Sequence, residues 1–436
     1  MSWKEVYESR IMSAEDALKK VPANSRMFLA HSMSEPTYLV EYMCDHKEWF
    51  TNVEICHMGS SGKHRYCNEE GMEGHLRHNS FFVSGLSRQA VMDGRADYTP
   101  AYFHEVPGML EDGTITVDTV MLTITPPNEN GEVSLGLSCD YTRAAVKNAK
   151  LVIAQVNDQW PFTISDGARL NVSDIDCFVL HNEPIPELKP GPLTEVEIGI
   201  GKNCASLVED GDTLQLGIGS IPDAVCASLA DKKDLGIHTE LMCDGVMNLM
   251  KAGVINNRKK LIDPGVATTA FIMGTREMYD FVDHNPEINM QPVDYTNDPV
   301  RISMLDHIVS INSAVQIDFN GQVCSESIGL MQISAVGGQV DFVRGAAMAK
   351  HGKAIIAMPS SVKGKISKIV PVLDEGAAVT TNRCDVDYVV TEYGIAHLKG
   401  KTLKQRAKAL IEISHPNFKP ELIKAFEERY HCSYES

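Results

Sequence analysis

No stretch of this sequence holds the roughly 18 consecutive apolar residues that a bilayer crossing needs. The opening segment Met1-Ser2-Trp3-Lys4-Glu5-Val6-Tyr7 has no signal-peptide apolar core. A membrane role is therefore not expected, and the protein is expected to be cytoplasmic. Positive charge is also short, since 40 Lys and Arg against 58 Asp and Glu leave a net charge of −18. That field repels a phosphate backbone and argues against nucleic acid as the main partner. An anionic ligand would need a local basic pocket. There is no C-x-x-C pair, and eleven cysteines scattered from Cys44 to Cys432 are an odd number for a closed disulfide framework. Buried free thiols in a reducing compartment fit best.

One stretch is rich in soft ligands: Cys56, His57, His64, Cys67, His75 and His78. Their spacing matches no zinc ribbon or finger. The same stretch carries Gly59, Gly62, Gly71 and Gly74, so a mobile surface or active-site loop is expected, and no metal.

The chain has 436 residues, with 43% hydrophobic and 22% charged, a globular balance too long for one ordinary core. Two domains of about 200 residues are the natural division. Between Glu183 and Pro192 lie four prolines, a density that forbids helix and central strand. This linker separates an N-terminal domain, 1–185, from a C-terminal domain, 186–436. On both sides, Val- and Ile-rich runs alternate with helical patterns, the signature of layered α/β domains with largely parallel strands. No internal repeat is visible, although halves of similar size and layering are compatible with a shared architecture.

In the first half, 26–30, 53–56, 121–124 and 151–154 read as strands and 141–150 as a helix. Ser34-Glu35-Pro36 reads as a helix start, which leaves His31 at the carboxyl end of the first strand. In the second half, strands are expected at 212–216, 234–239, 354–357 and 387–391, and helices at 223–230, 341–350, 401–413 and 420–430.

The first strong chemical signal is the glycine turn Gly217-Ile218-Gly219-Ser220-Ile221-Pro222 between a strand and a helix, a geometry that aims backbone N–H groups at an anion. With Glu240 about 20 residues on, it has part of a dinucleotide fingerprint. Pro222 stands where the third glycine belongs, which counts against nicotinamide binding. Glu240 follows Gly236-Ile237-His238-Thr239 and precedes a helix from Asp244, so it is expected at the carboxyl edge of the sheet, where open α/β sheets bind ligands. Taken alone, a glutamate there caps a helix or is solvated.

Four motifs in order change that reading: Leu216-Gly217-Ile218-Gly219-Ser220-Ile221-Pro222, His238-Thr239-Glu240, Gly337-Gly338-Gln339-Val340-Asp341-Phe342 and Thr391-Glu392-Tyr393-Gly394-Ile395-Ala396. Through them nearly the whole chain resembles the acetyl-CoA hydrolase/transferase family of class I CoA transferases, and within it the 4-hydroxybutyrate and butyrate CoA-transferases. The resemblance implies two layered α/β domains of the NagB/ribose-5-phosphate-isomerase/CoA-transferase kind, with Glu240 on the position of the catalytic glutamate. It also implies Gly338 as an oxyanion donor, and Gly217, Ile218, Gly219, Ser220, Ile221, Pro222, Ser334, Gly338 and Lys363 against coenzyme A. His31 matches a histidine of the 4-hydroxybutyrate-type enzymes that can bond the reacting carboxylate; its other reading is a buried histidine bonded to a carbonyl. Lys363 lies in a basic stretch, 361–368, that either meets CoA phosphates or is a solvated loop. The implied partners are an acyl-CoA and a small carboxylate, and the implied assembly is a homodimer or higher homo-oligomer.

The chemistry is intelligible on its own. Exchanging a thioester for a carboxylate without ATP needs an enzyme carboxylate that stores the acyl energy, first as an anhydride and then as its own CoA thioester. Glu392, paired with His397, is the rival carboxylate. In acetyl-CoA-using relatives an asparagine is expected after Gly321-Gln322-Val323, where this chain has Cys324, and that leaves the carboxylate preference open. A CoA-ester hydrolase on the same scaffold shares every residue named; an NAD-binding oxidoreductase is the distant alternative.

Overall fold

Thr119–Ile124 is buried at all six positions and Leu151–Val156 at five of six. The largely apolar, non-alternating runs follow from this, because a parallel strand covered on both faces has no solvent side to alternate toward. The computed structural model describes residues 2–435, and the chain divides into two compact units: Met1–Lys189 with Thr268–Thr296, and Pro190–Ala267 with Asn297–Ser436.

The first unit contains a seven-stranded sheet in the order Ala96–Tyr98, Leu76–Ser80, Val53–His57, Arg26–Leu29, Thr119–Ile124, Leu151–Val156, Cys177–Leu180. Every pairing is parallel. The first strand in sequence is central; the next three add on one side and the later three on the other. The chain therefore reverses its winding beside Arg26–Leu29, and the residues leaving that strand stand at a topological switch point. Met27, Leu29, Leu39, Val53, Ile55, Met121 and Ile153 are in its core.

Within the second unit the strands run in the order Gly236–Met242, Thr213–Leu216, Ile308–Asn312, Lys353–Ala357, Tyr388–Thr391, Gly394–His397. All are parallel except the closing hairpin. Again the first strand, Thr213–Leu216, is interior, with the second on one side and the third on the other. The two units repeat one winding plan without a visible sequence repeat. Ile308, Phe342, Ile356, Val389 and Leu410 belong to the second core.

The expected strands and helices are present with shifted ends. The helix expected from Asp223 starts at Ser220, because Pro222 in a first turn gives up no intrahelical bond. The helix expected from Asp341 starts at Gln339, capped by Gly338. Glu183 to Pro192 is irregular. It is nonetheless tied down: the Leu188 amide donates to Gly274 O at 2.9 Å, and the Tyr279 hydroxyl to Pro186 O at 2.9 Å.

The histidine-rich stretch is not the surface loop expected. It contributes the strands Val53–His57 and Leu76–Ser80 and the short helix Arg65–Asn68, and Cys56, His57, His64, Cys67 and His78 are all buried. Only its turn glycines Gly71 and Gly74, with φ of 75° and 79°, behave as a loop reading requires. The eleven cysteines are free thiols, nine of them buried. No helix among the described residues is long and apolar enough to cross a membrane.

Gly345 faces the core on the helix Gln339–Met348, where an added methyl would meet Ile302 Cβ at 2.5 Å and Pro299 O at 3.2 Å. Alanine gains about 1 kcal/mol over glycine inside a helix, whereas overpacking costs about 1–3 kcal/mol. Overpacking wins here because Ile302 is fully buried and β-branched, with little rotamer freedom to yield. Gly345→Ala should therefore lower stability by about 1–2 kcal/mol, read as an earlier urea midpoint. A later midpoint would show that the helix pair spreads freely.

Candidate active site

Glu240 belongs to the strand Gly236–Met242, of which residues 236–239 are buried and Glu240 half-buried. The strand does not stop at Thr239 as expected. Leu241 and Met242, both buried, extend it, and the next helix starts at Asp244. The neighbouring strand pairs Thr213 with Gly236 and Leu214 with Ile237 and ends at Leu216. The Thr239 hydroxyl closes that edge by donating to Leu216 O at 2.8 Å. Glu240 therefore stands one residue beyond its neighbour's end, at the carboxyl edge, although it is not the end of its own strand.

Asn297 and Gly338 both border its carboxylate. Asn297 Nδ2, fully buried, donates to Glu240 Oε2 at 2.6 Å, a short bond to an ionisable acceptor. Gly338, cap of the helix Gln339–Met348, leaves no room for a side chain: a Cβ there would fall on Glu240 Oε2 and Asn297 Nδ2, and lie 3.0 Å from Glu240 Cδ. Its backbone is ordinary, at φ −93° and ψ 3°, whereas Gly337 has φ 55°. The glycine pair thus answers two needs, backbone geometry at Gly337 and space at Gly338. The helix amino terminus it opens carries partial positive charge toward a carboxylate.

The turn after Thr213–Leu216 is formed as expected. Gly219 has φ 115° and ψ −178°, a conformation restricted to glycine, and caps the helix Ser220–Ala227. Ile218, Gly219 and Ser220 are exposed, Gly217 is half-buried, and Ile221 and Pro222 are buried, with Pro222 Cγ 4.0 Å from where a Gly217 Cβ would be. Ser334 is half-buried, its amide donating to Glu326 O at 3.0 Å. Lys363 is exposed at φ 51°, in the turn joining Ser361–Val362 to Ile366–Ser367. Cys324 is turned inward, with its thiol 3.2 Å from Ser327 O.

The rival carboxylate is differently occupied. Glu392 accepts from the Ser360 amide at 2.9 Å and the Ser360 hydroxyl at 2.6 Å, one on each oxygen. His397 is no partner of Glu392: the hairpin register sets it opposite Tyr388, and its Nε2 meets Asp387 Oδ1 at 2.9 Å.

In the first unit His31 follows the central strand and is buried. Its Nδ1 lies 2.5 Å from Asp140 Oδ2. Asp140, fully buried, also accepts from the Ser138 hydroxyl at 2.9 Å and the Tyr141 amide at 2.6 Å. This bonding places a proton on Nδ1 and aims Nε2 the other way, toward Gly59, where a Cβ would stand 3.2 Å from it. The carbonyl-bonded alternative for His31 is replaced by a carboxylate. Phe103 and Phe271 pack against the ring at centroid distances of 5.7 and 4.4 Å.

Asn297 and Asp140 escaped the sequence reading for one reason. Asn297 precedes Asp298-Pro299, a complete helix-start signal, and Asp140 precedes the helix Thr142–Asn148. Each therefore reads as part of a cap.

Residues 1–189 match the acetyl-CoA hydrolase/transferase N-terminal domain, and residues 274–426 match the C-terminal domain of the same family. The 4-hydroxybutyrate coenzyme A transferase of Clostridium kluyveri is 53% identical over 99% of this chain and 100% of its own length. Among solved structures, RipA from Yersinia pestis superposes with a TM-score of 0.93 at 34% identity, covering 99% of this chain and 100% of that one. A 4-hydroxybutyrate CoA-transferase from Porphyromonas gingivalis gives 0.81 at 39% identity, covering 98% and 100%. The chain belongs to the acetyl-CoA hydrolase/transferase family.

Gly338→Ala must displace either the Glu240 carboxylate or the first helical turn. Because a misplacement of about 1 Å at a reacting group costs on the order of 10²-fold, turnover of acyl-CoA should fall by about that factor with little loss of stability. Gly337→Ala should show the reverse pattern, about 1–2 kcal/mol of stability for its left-handed backbone with activity largely kept. Equal kcat in Gly338→Ala and wild type would mean that the carboxylate reacts from another position.

Proposed function

We propose that this protein is a CoA-transferase that exchanges CoA between a short-chain acyl-CoA and a carboxylate, 4-hydroxybutyrate or butyrate with acetate, through a thioester on Glu240. The observation that carries the reading is the Glu240 carboxylate at the sheet's carboxyl edge, held by Asn297 against the side-chain-free Gly338. The names of the relatives support the substrate class. The acidic, thiol-rich chain supports a cytoplasmic setting, and family resemblance supports a homodimer or larger assembly.

In this mechanism a Glu240 oxygen attacks the thioester carbonyl carbon, the C–S bond breaks, and CoA leaves as thiolate, giving an acyl-glutamyl anhydride. The thiolate then attacks the glutamyl carbonyl carbon. The bond to the bridging oxygen breaks, and the first acid departs as carboxylate. An acceptor carboxylate attacks the glutamyl thioester and expels the thiolate, which takes the new acyl group and restores the Glu240 carboxylate. No net proton is gained or lost. Each addition puts negative charge on a carbonyl oxygen, and the backbone at Gly338, opening a helix, is suited to receive it. His31, oriented by Asp140, serves the reacting carboxylate through Nε2. The turn 217–222 takes the pantetheine arm, with Ser334 and Lys363 further along the cofactor. Hydrolysis would need only water in place of the acceptor, so transferase action requires the glutamyl thioester to be protected from water.

Incubated with acyl-CoA and no acceptor, the wild-type protein should gain the mass of a CoA thioester, borohydride should inactivate it, and the modification should map to the peptide containing His238-Thr239-Glu240. Glu240→Ala should neither gain mass nor exchange label between acyl-CoA and acid. Exchange that proceeds with unchanged protein mass would replace the covalent route by direct transfer. An adduct that hydrolyses as fast without acid as it discharges with acid would make the enzyme a hydrolase.

Lys363→Ala should raise the KM for acyl-CoA several-fold with kcat nearly unchanged, because a phosphate contact remote from the reacting carbon binds ground and transition states alike. A pure kcat loss would assign Lys363 to the chemical step.

A further inference from the structure

The first unit contains three imidazoles that the mechanism does not use. His57 ends the strand Val53–His57, His78 is in the adjacent parallel strand Leu76–Ser80, and His64 precedes the helix Arg65–Asn68. Register pairs Ile55 with His78, so His57, two residues beyond Ile55, projects from the same face of the sheet. All three are at most 1% exposed. One ring nitrogen of each lies within 4.8 Å of the other two.

Their outer contacts follow the pattern of metal-bound histidines, in which the nitrogen away from the ion is fixed by a neighbour. His78 Nδ1 is 2.9 Å from the Ile55 carbonyl, and His57 Nε2 is 2.7 Å from the Tyr66 hydroxyl. The remaining atoms, His57 Nδ1, His78 Nε2 and both nitrogens of His64, are buried without a hydrogen-bond partner. Groups of this kind are costly to leave unsatisfied. His64 adds a second anomaly, a left-handed backbone at φ 54° and ψ 37°, which persists in a non-glycine residue only where its surroundings fix it. Burial also holds the three rings neutral: His64 is pushed down to about 3 and His78 to about 4, and His57 lies well below the usual range. Neutral imidazole is the form that ligates.

We propose that His57, His64 and His78 bind one divalent late-transition-metal ion, with zinc as the first candidate. Three neutral nitrogens with no carboxylate or thiolate select zinc, copper, nickel or cobalt over magnesium and calcium. Zinc–nitrogen bonds of about 2.0–2.1 Å would bring tetrahedral donors to about 3.3 Å from one another, so the rings close by about an ångström on loading, and water takes the fourth position. The other soft residues of the stretch are excluded. Cys56 points to the opposite face of its strand, the Cys67 thiol is bonded to His64 O at 3.4 Å, and His75 Nδ1 is 2.7 Å from Phe50 O. The ion clips two strands to the loop 58–64, whose Gly59 borders His31 Nε2. Its part is to hold that wall, outside the CoA exchange chemistry.

The test uses full-length protein produced without a polyhistidine tag, equilibrated with Zn²⁺ or Co²⁺ and freed of excess by gel filtration. Elemental analysis should find about one ion per chain, and the cobalt form should show visible d–d absorption of tetrahedral intensity. His64→Asn, which keeps a residue tolerant of the left-handed backbone, should lose the ion and the absorption. Tyr66→Phe should bind roughly 10–100-fold more weakly, and it carries the comparison if His64→Asn does not fold. Wild-type protein that retains only trace metal after equilibration overturns the proposal. So does stoichiometric metal whose affinity is unchanged in the folded variants.

Discussion

A carboxylate that is to act as a nucleophile must be held still by a partner that leaves it a carboxylate, and the Asn297 amide beside Glu240 is such a partner. An arginine or lysine at that distance would bind the anion far more strongly and blunt its attack. The amide orients one oxygen at 2.6 Å without bringing a charge. This one contact fixes much around it. Asn297 must be buried at the point where the chain re-enters the second unit, and Asp298-Pro299 starts a helix immediately after it. Gly338 must lack a side chain because the same two atoms fill the space, and the helix behind it can start no earlier than Gln339.

The winding of each sheet explains why the informative motifs cluster where they do. In both units the first strand is interior and later strands add on both sides, so the loop leaving that strand faces a crevice that no crossover helix fills. His31 leaves Arg26–Leu29, and the glycine turn leaves Thr213–Leu216. Open α/β sheets bind ligands at such positions, which is why both segments are candidates on topology as well as on motif. In the second unit an acid, Glu240, stands at the same carboxyl edge beside the strand that feeds the glycine turn.

That division separates what was legible in the sequence from what was not. Parallel strands buried on both faces announce themselves as Val- and Ile-rich runs, so Thr119–Ile124, Lys353–Ala357 and Tyr388–Thr391 could be read within a residue or two. Glu240, Gly338 and the glycine turn lie in contiguous motifs, and the structure forms the turn and brings Glu240 against Gly338. Asn297 and Asp140 were not, because each acts across a large gap in sequence, 57 residues to Glu240 and 109 to His31, while local context explains it fully as part of a helix start. The return of Thr268–Thr296 to the first unit carries no compositional mark either. The histidine-rich stretch read as a loop because of its glycines, whereas His57 and His78 are brought together by strand pairing, which no local pattern encodes.

The two glutamates at the carboxyl edge of the second unit's sheet differ in partners rather than in position. Glu240 stands one residue beyond its neighbour's end and Glu392 directly after its own strand, both at the carboxyl edge of the sheet and within strong motifs, and position alone does not choose between them. Glu392 accepts a backbone amide and a hydroxyl from a single residue, Ser360, one on each oxygen. To attack a carbonyl carbon it would have to give up at least one of these bonds, each worth about 1.5–3 kcal/mol to a charged acceptor, and it would release the strand end it anchors. Lys368, whose pKa burial brings down to about 8, feels its charge as well. Such a carboxylate is a brace. Glu240 has its Oε2 bonded to the Asn297 side-chain amide and lies against the α-carbon of Gly338, contacts that orient the group from two separate segments of the chain. The proposal of Glu240 as the attacking residue therefore rests on the Asn297 and Gly338 contacts together with the family motif, and that of Glu392 as a brace on Ser360.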